Sequence, residues 1–212
     1  MRLAGELDGG VAADRTLFLD PQRCIGCRAC MEACSDCPGH GGIPMIHLDF
    51  VDRAQTVQTA PTVCMHCEDP ACAAVCPTEA ILASGDGVVH SAMSERCIGC
   101  GHCALACPFG VPKIDESMAL MMKCDLCYDR SSAGLSPMCA TVCPSGALFY
   151  GTRAEVEDLR QSRAAAGVRF GEVEIRTRIQ ILVPAGGGGM AVREGDPHLP
   201  SAAERALDEV LL

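Results

Sequence analysis

The arrangement of cysteines constrains this chain more than any other feature. There are 17 in 212 residues, and sixteen of them fall into four sets of four. These are Cys24, Cys27, Cys30 and Cys34; Cys64, Cys67, Cys72 and Cys76; Cys97, Cys100, Cys103 and Cys107; and Cys124, Cys127, Cys139 and Cys143. Cys37 is left over. The first and third sets have the spacing C-x2-C-x2-C-x3-C. The second and fourth keep the opening C-x2-C and the closing x3-C but lengthen the middle gap, to Glu68–Ala71 and to Tyr128–Met138. The aromatic inventory is thin, with no Trp, 2 Tyr and 5 Phe. A chain of this length ordinarily fills its core with large side chains, so here something held by the sulfurs is expected to occupy the middle.

Three chemistries use cysteine in quantity. A disulfide scaffold belongs to oxidising compartments. The N-terminus Met1–Glu6 reads as carrying no export signal of its own, and the odd count fits disulfides poorly. Structural zinc needs two pairs separated by a longer loop, and a third cysteine two residues after the pair has no place in a tetrahedral site. The spacing of the first and third sets is instead the run that binds [4Fe–4S] clusters. Three thiolates on a tight loop hold three corners of one cube, and the fourth, starting a helical turn, reaches the neighbouring cube. Pro77, Pro108 and Pro144 directly follow the last cysteines of sets two, three and four, where proline stops a short helix. Four [4Fe–4S] clusters is the resulting expectation.

The chain also repeats itself. Cys24-Ile25-Gly26-Cys27 recurs as Cys97-Ile98-Gly99-Cys100, and Cys72-Ala73-Ala74-Val75-Cys76-Pro77 as Cys139-Ala140-Thr141-Val142-Cys143-Pro144. Such half-units at long period suggest two stacked ferredoxin-like modules. The expected fold class is α+β: two pseudo-symmetric bacterial-ferredoxin-like modules over residues 16–152, with short strands and helices around the clusters. A C-terminal helix and strand extension covers residues 153–212.

Residues 16–152 resemble the four-cluster iron–sulfur subunits of molybdenum or tungsten bis-pterin oxidoreductases. The resemblance lies in Cys64-Met65-His66-Cys67-Glu68-Asp69-Pro70, in Cys97-Ile98-Gly99-Cys100-Gly101-His102-Cys103 with Cys107-Pro108-Phe109-Gly110, and in Lys123-Cys124-Asp125-Leu126-Cys127-Tyr128-Asp129-Arg130. Among these relatives, formate dehydrogenase subunits look most similar. The resemblance implies a pairing of set one with four and of two with three. One cluster then takes Cys24, Cys27, Cys30 and Cys143, and its neighbour Cys124, Cys127, Cys139 and Cys34. The other pair takes Cys64, Cys67, Cys72 and Cys107, and Cys97, Cys100, Cys103 and Cys76. It further implies a relay between a large molybdopterin or tungstopterin catalytic subunit and a quinone-reactive, cytochrome b-like membrane subunit or a soluble carrier. The alternative is a freestanding polyferredoxin.

Cys37 departs from the pattern. Its Cys37-Pro38 mimics the closing dipeptides and makes it a rival to Cys34, whose x3 gap matches the other sets. His40 and His47 read as polar loop residues facing a partner, and His66 and His102 as hydrogen-bonding groups near sulfur. Thr16–Leu19 and Met45–Val51 read as short strands. Thr152 and Glu155 form a capping box opening a helix through about Ala166, which Gly167 ends. Val173 to Val183 alternate as a half-buried strand. Gly186 to Pro200 read as a flexible stretch, before a second capping box at Ser201 and Glu204 that opens a short amphipathic helix.

The remaining functions are narrowed by exclusion. A formal charge of −10, with 15 Arg and only Lys113 and Lys123, argues against a nucleic-acid partner. No apolar run reaches the roughly 18 residues of a membrane span. No phosphate loop, triad or carboxylate pair supplies a catalytic site. The chain reads as cytoplasmic, membrane-associated through partners, or exported with a signal-bearing one.

Overall fold

The computed structural model describes residues 14–50, 57–160, 162–184 and 191–192. Its elements are short because the cysteine loops interrupt them. In chain order they are β1 (Arg15–Leu19), α1 (Ala29–Ser35), β2 (His47–Phe50), β3 (Thr59–Thr62), α2 (Ala71–Ala74), α3 (His102–Ala106), β4 (Lys113–Asp115), β5 (Leu120–Met122), α4 (Tyr128–Ser131), α5 (Met138–Thr141), β6 (Leu148–Thr152), α6 (Arg153–Arg160), β7 (Ser162–Phe170), β8 (Val173–Pro184) and β9 (Ala191–Val192). Helices and strands are mixed along the chain, as the α+β expectation requires.

The main sheet has the order β6-β1-β8-β7-β9. Next to the edge, β1 pairs antiparallel with β6, from Arg15 opposite Thr152 to Leu19 opposite Leu148, and parallel with the central β8 through Phe18 and Leu19. Successive strand side chains alternate between faces, yet Leu17, Phe18 and Leu19 are all buried, so both faces are covered. Phe18 joins Val156 of α6, Ala164 and Leu182 on one side. Leu17 and Leu19 join Cys30, Cys34 and Cys139 on the other. The sheet therefore separates a small apolar layer from a core that contains the cysteines. Two hairpins, β2–β3 and β4–β5, lie outside it.

Thr152 and Glu155 make the expected reciprocal cap. Glu155 N–H donates to Thr152 Oγ1 at 3.2 Å, and Thr152 N–H donates to Glu155 Oε2 at 2.7 Å. The helix it opens is shorter than the sequence reading: α6 ends at Arg160, and Ala164–Ala166 belong to β7. Residues 162–170 pair with β8, Ala164 opposite Leu182 and Phe170 opposite Val173, and the register shifts between Ala165 and Gly167. Alanine has the highest helix propensity, but propensity is a small energy per residue, and pairing with the long partner strand overrides it. The alternating strand from Val173 is present as β8. The second capping box at Ser201 lies outside the described residues.

Candidate metal centre

None of the 17 cysteines is paired in a disulfide. The third and fourth cysteines of each set stand four residues apart at a short helix, which puts them on one helical face. Cys30 and Cys34 lie on α1, Cys72 on α2 with Cys76 just beyond, Cys103 on α3 with Cys107 at its cap, and Cys139 on α5 with Cys143 just beyond. Helix α1 packs on α5, and α2 on α3. Cysteines remote in sequence meet across these two contacts.

The opening loops share one backbone device. The residue before the second cysteine has positive φ in every set: Gly26 (69°), His66 (48°), Gly99 (64°) and Leu126 (64°). That left-handed turn swings consecutive sulfurs toward a common point. Glycine adopts it freely, whereas His66 and Leu126 hold it at a cost. Both are almost wholly buried, so the surrounding packing holds them there.

Cys76, Cys97, Cys100 and Cys103 line one cavity with Ile81, Ile114 and Met121. Cys34, Cys124, Cys127 and Cys139 line another with Leu17, Ile46 and Leu126. Cys64, Cys67, Cys72 and Cys107 line a larger, open space, one wall of which is the start of β8. The fourth grouping is electrostatic. Burial pushes the Cys30 thiol up to about 11, with further repulsion from Cys143, Cys24 and Cys27. Elsewhere burial first, then neighbouring sulfurs, push Cys67 up to about 12 and Cys72 to about 11. Cys127 is held at about 12 mainly by burial. Among the described residues, no three His, Cys, Asp or Glu side chains are grouped to hold a single metal ion.

Donors point at these sulfurs. Backbone N–H groups of Met45, Ala80, Met121 and Leu126 donate to Cys34, Cys76, Cys97 and Cys124 Sγ at 3.2 to 3.4 Å. Thr59 Oγ1 lies 3.1 Å from Cys24 Sγ. N–H groups that face sulfur stabilise it as thiolate.

Against this geometry, residues 55–153 match the family model of the 4Fe-4S dicluster domain, and residues 15–36 that of a 4Fe-4S binding domain. The thiosulfate reductase electron transfer subunit PhsB of Salmonella typhi is 38% identical, with 65% of this chain matched to 76% of that one. The B subunit of the anaerobic dimethyl sulfoxide reductase of Escherichia coli is 36% identical over 68% of this chain and 75% of its own. This chain belongs to the family of [4Fe–4S] electron-transfer subunits. The nitrate-inducible formate dehydrogenase iron-sulfur subunit of Escherichia coli is 37% identical over 72% of this chain, but the match spans only 59% of that protein.

The cavities suit the cofactor of this family. Cysteine thiols ionise when they bind iron, and apolar side chains such as Ile81, Ile114, Met121, Leu17, Ile46 and Leu126 stand beside them. Lys123 is buried at 1% exposure with its ammonium on the carbonyls of Val89 and Cys124. It borders the space around Cys64, where an anionic iron–sulfur group would answer its charge.

His40 and His66 sit differently from the sequence reading. His40 faces inward: its Nδ1 donates to the Cys34 carbonyl at 2.5 Å, lies 3.5 Å from Cys34 Sγ, and the ring lines that cavity. The bond to a carbonyl of the cysteine helix makes this inward position favourable. His66 bonds backbone instead of sulfur, its Nδ1 accepting from Val89 N–H. His47 lies 3.3 Å from Asp49, and His102 borders the Cys100 cavity. Cys37 donates to the Ala33 carbonyl at 3.3 Å and contacts the Cys127 thiol. Sequence reasoning passes over Lys123 and Thr59, since neither residue type signals a sulfur neighbour. It also misses β8 as a cavity wall. Arg178 N–H donates to the His66 carbonyl, Ile179 N–H to that of Met65, and Glu68 N–H to that of Arg176, so the strand is laced to the Cys64–Cys67 loop.

Proposed function

We propose that each quartet holds one [4Fe–4S] cluster and that the chain relays single electrons. The first site is Cys24, Cys27, Cys30 and Cys143, and the second Cys34, Cys124, Cys127 and Cys139. The third is Cys64, Cys67, Cys72 and Cys107, and the fourth Cys76, Cys97, Cys100 and Cys103. The two modules implied by the repeat are then pseudo-symmetric halves, one built on α1 with α5 and the other on α2 with α3. When bound, the clusters supply reversible one-electron chemistry without an open coordination position.

The observation that supports this reading is the order in which the quartets neighbour one another, with Cys30, Cys34 and Cys139 in one buried cluster. Cys139 of the second site is repelled by Cys30 of the first. Cys124 of the second is repelled by Cys64 of the third. The third and fourth sites share the contact of α2 with α3. A single file results, and its two ends are the sites with an exposed cysteine, Cys27 and Cys100. The exposed end loops offer short tunnelling distances to a partner.

The relatives' names, subunits of formate dehydrogenase, dimethyl sulfoxide reductase and thiosulfate reductase, support a catalytic partner; the resemblance of the cysteine motifs extends this to a pterin-bearing catalytic subunit and a quinone-linked membrane subunit or soluble carrier. No helix among the described residues is long and apolar enough to cross a membrane. No residue of the chain is assigned a bond-making step. The test is anaerobic purification with its host partners, followed by iron and sulfide analysis and paramagnetic-resonance spectra. Four cubane signals and a co-purifying large pterin subunit are expected. Material with iron for only one or two clusters would overturn the ligand sets, and a loaded chain that purifies alone would favour the freestanding carrier.

A further inference from the structure

Among the described residues, the buried polar and charged side chains are Thr16, Asp20, His66, Lys123, Ser131 and Thr177. Asp20 meets Arg160 at 2.9 Å. Lys123 has no such partner: its ammonium donates to the carbonyls of Val89 and Cys124, the latter at 3.2 Å, and among the described residues no carboxylate closes an ion pair with it within 4.0 Å. Two carbonyl dipoles compensate a buried unit charge only in part. The chain nevertheless fixes this residue firmly. Lys123 N–H donates to Ser91 Oγ at 3.1 Å, and Ser91 Oγ donates back to the Lys123 carbonyl at 2.8 Å.

The position of the charge is specific. Lys123 borders the cavity of Cys64, Cys67, Cys72 and Cys107. One residue on, Cys124 belongs to the neighbouring quartet. The acids on the same cavity, Asp69 and Glu174, are exposed, and solvent screens them. Asp125, half-buried on the second-site cavity, is the opposing charge on that side, and the ammonium is the fully buried cation at the junction of the second and third sites.

Resting on the four-site reading above, we propose that Lys123 is a fixed counter-charge shared by the two inner sites, where it raises the reduction potential. One electron arriving from a reduced neighbouring carrier adds one unit of negative charge at an inner site. No bond is made or broken, and the ammonium keeps its proton. In a medium of low dielectric a nearby cation stabilises that added charge strongly, so an electron in transit rests on the inner pair. Lys123 acts through the field at the cysteine sites and touches no substrate; it is a positioning residue.

The experiment compares the full chain, purified anaerobically, as wild type, Lys123→Met, Lys123→Gln and Lys123→Arg, by iron analysis and potentiometric titration followed by paramagnetic resonance. With full iron content, the Met and Gln variants are expected to lower the potentials of the inner clusters and leave the outer ones in place. The Arg variant, which keeps the charge, should stay near wild type. Loaded Met and Gln variants with unchanged potentials would overturn the proposal, as would an Arg variant shifted as far as Met. If the neutral variants fail to assemble the inner clusters, an Arg variant that assembles them sustains the proposal, and an Arg variant that also fails overturns it. A wild-type chain lacking the inner clusters would overturn the four-site reading itself, a result distinct from loaded wild type with indifferent variants.

Discussion

The backbone N–H of Val89 donates to Nδ1 of His66 at 3.0 Å. An imidazolium has no acceptor nitrogen, so protonating Nδ1 would set two donors against each other. Burial, followed by the charges of Lys123, Arg178 and His90, also holds His66 well below its usual 6.5.

The pH dependence follows from that neutral ring. The unfolded chain takes up a proton at His66 below about 6.5 while the folded chain does not, so stability falls as pH drops through that value. The slope for one such proton is about 1.4 kcal/mol per pH unit. Thermal midpoints of anaerobic wild type and His66→Gln, followed from pH 7.5 to 5.5, are expected to converge toward acid. Parallel curves would show that His66 carries no such linkage.

Cys103 and Cys37 separate ligand from bystander. Cys103 is buried and borders a four-cysteine cavity, whereas Cys37 bonds the preceding helical turn. Cys103→Ala is expected to remove one cluster's iron and its resonance signal, and Cys37→Ala to leave iron content intact. Equal losses would mean that the spare thiol has been misassigned.

Two equivalent glycines should respond unequally. A Cβ on Gly99 would stand 3.0 Å from both the Cβ and the carbonyl oxygen of Ala119, while one on Gly26 would meet only the Thr59 side chain, its hydroxyl at 3.3 Å. Each alanine also occupies a left-handed backbone, at roughly 1–2 kcal/mol. Gly26→Ala should lose about that much in thermal unfolding. Gly99→Ala should lose more and lower iron occupancy at the Cys100 site, because backbone has to move. A milder Gly99 variant would contradict the contact.

Arg160 ties the end of α6 to the cysteine core. It bonds Asp20 at 2.9 Å and the Gly146 carbonyl at 2.6 Å, with both charged side chains 9% exposed. Removing one partner strands a buried carboxylate, so Arg160→Ala should cost about 3 kcal/mol, and Asp20→Asn with Arg160→Ala less than the sum of the singles. Denaturant unfolding under reducing, anaerobic conditions measures it. Additivity would show that the pair is uncoupled.

What can be read in advance depends on how local the signal is. The Thr152–Glu155 cap and the alternation of Val173–Val183 are set by neighbours a few residues away, and both are present. The end of α6 escapes a sequence reading because Ala164–Ala166 are helix-compatible in isolation, and only pairing with Ile181 and Leu182 makes them strand. The polarity of His40 points it to the surface, since nothing nearby in the chain reveals that the Cys34 carbonyl is there to accept from it.

Cysteine spacing alone determined the chemistry, because C-x2-C-x2-C loops and x3 helical turns place thiolates within a few ångströms whatever surrounds them. Which remote cysteines meet, and that an ammonium held by two carbonyls lies beside two of the groups, was decided by the contacts of α1 with α5 and α2 with α3 and by β8 closing over the Cys64 loop. Those depend on apolar burial and strand pairing across more than a hundred residues, and no window of sequence contains them.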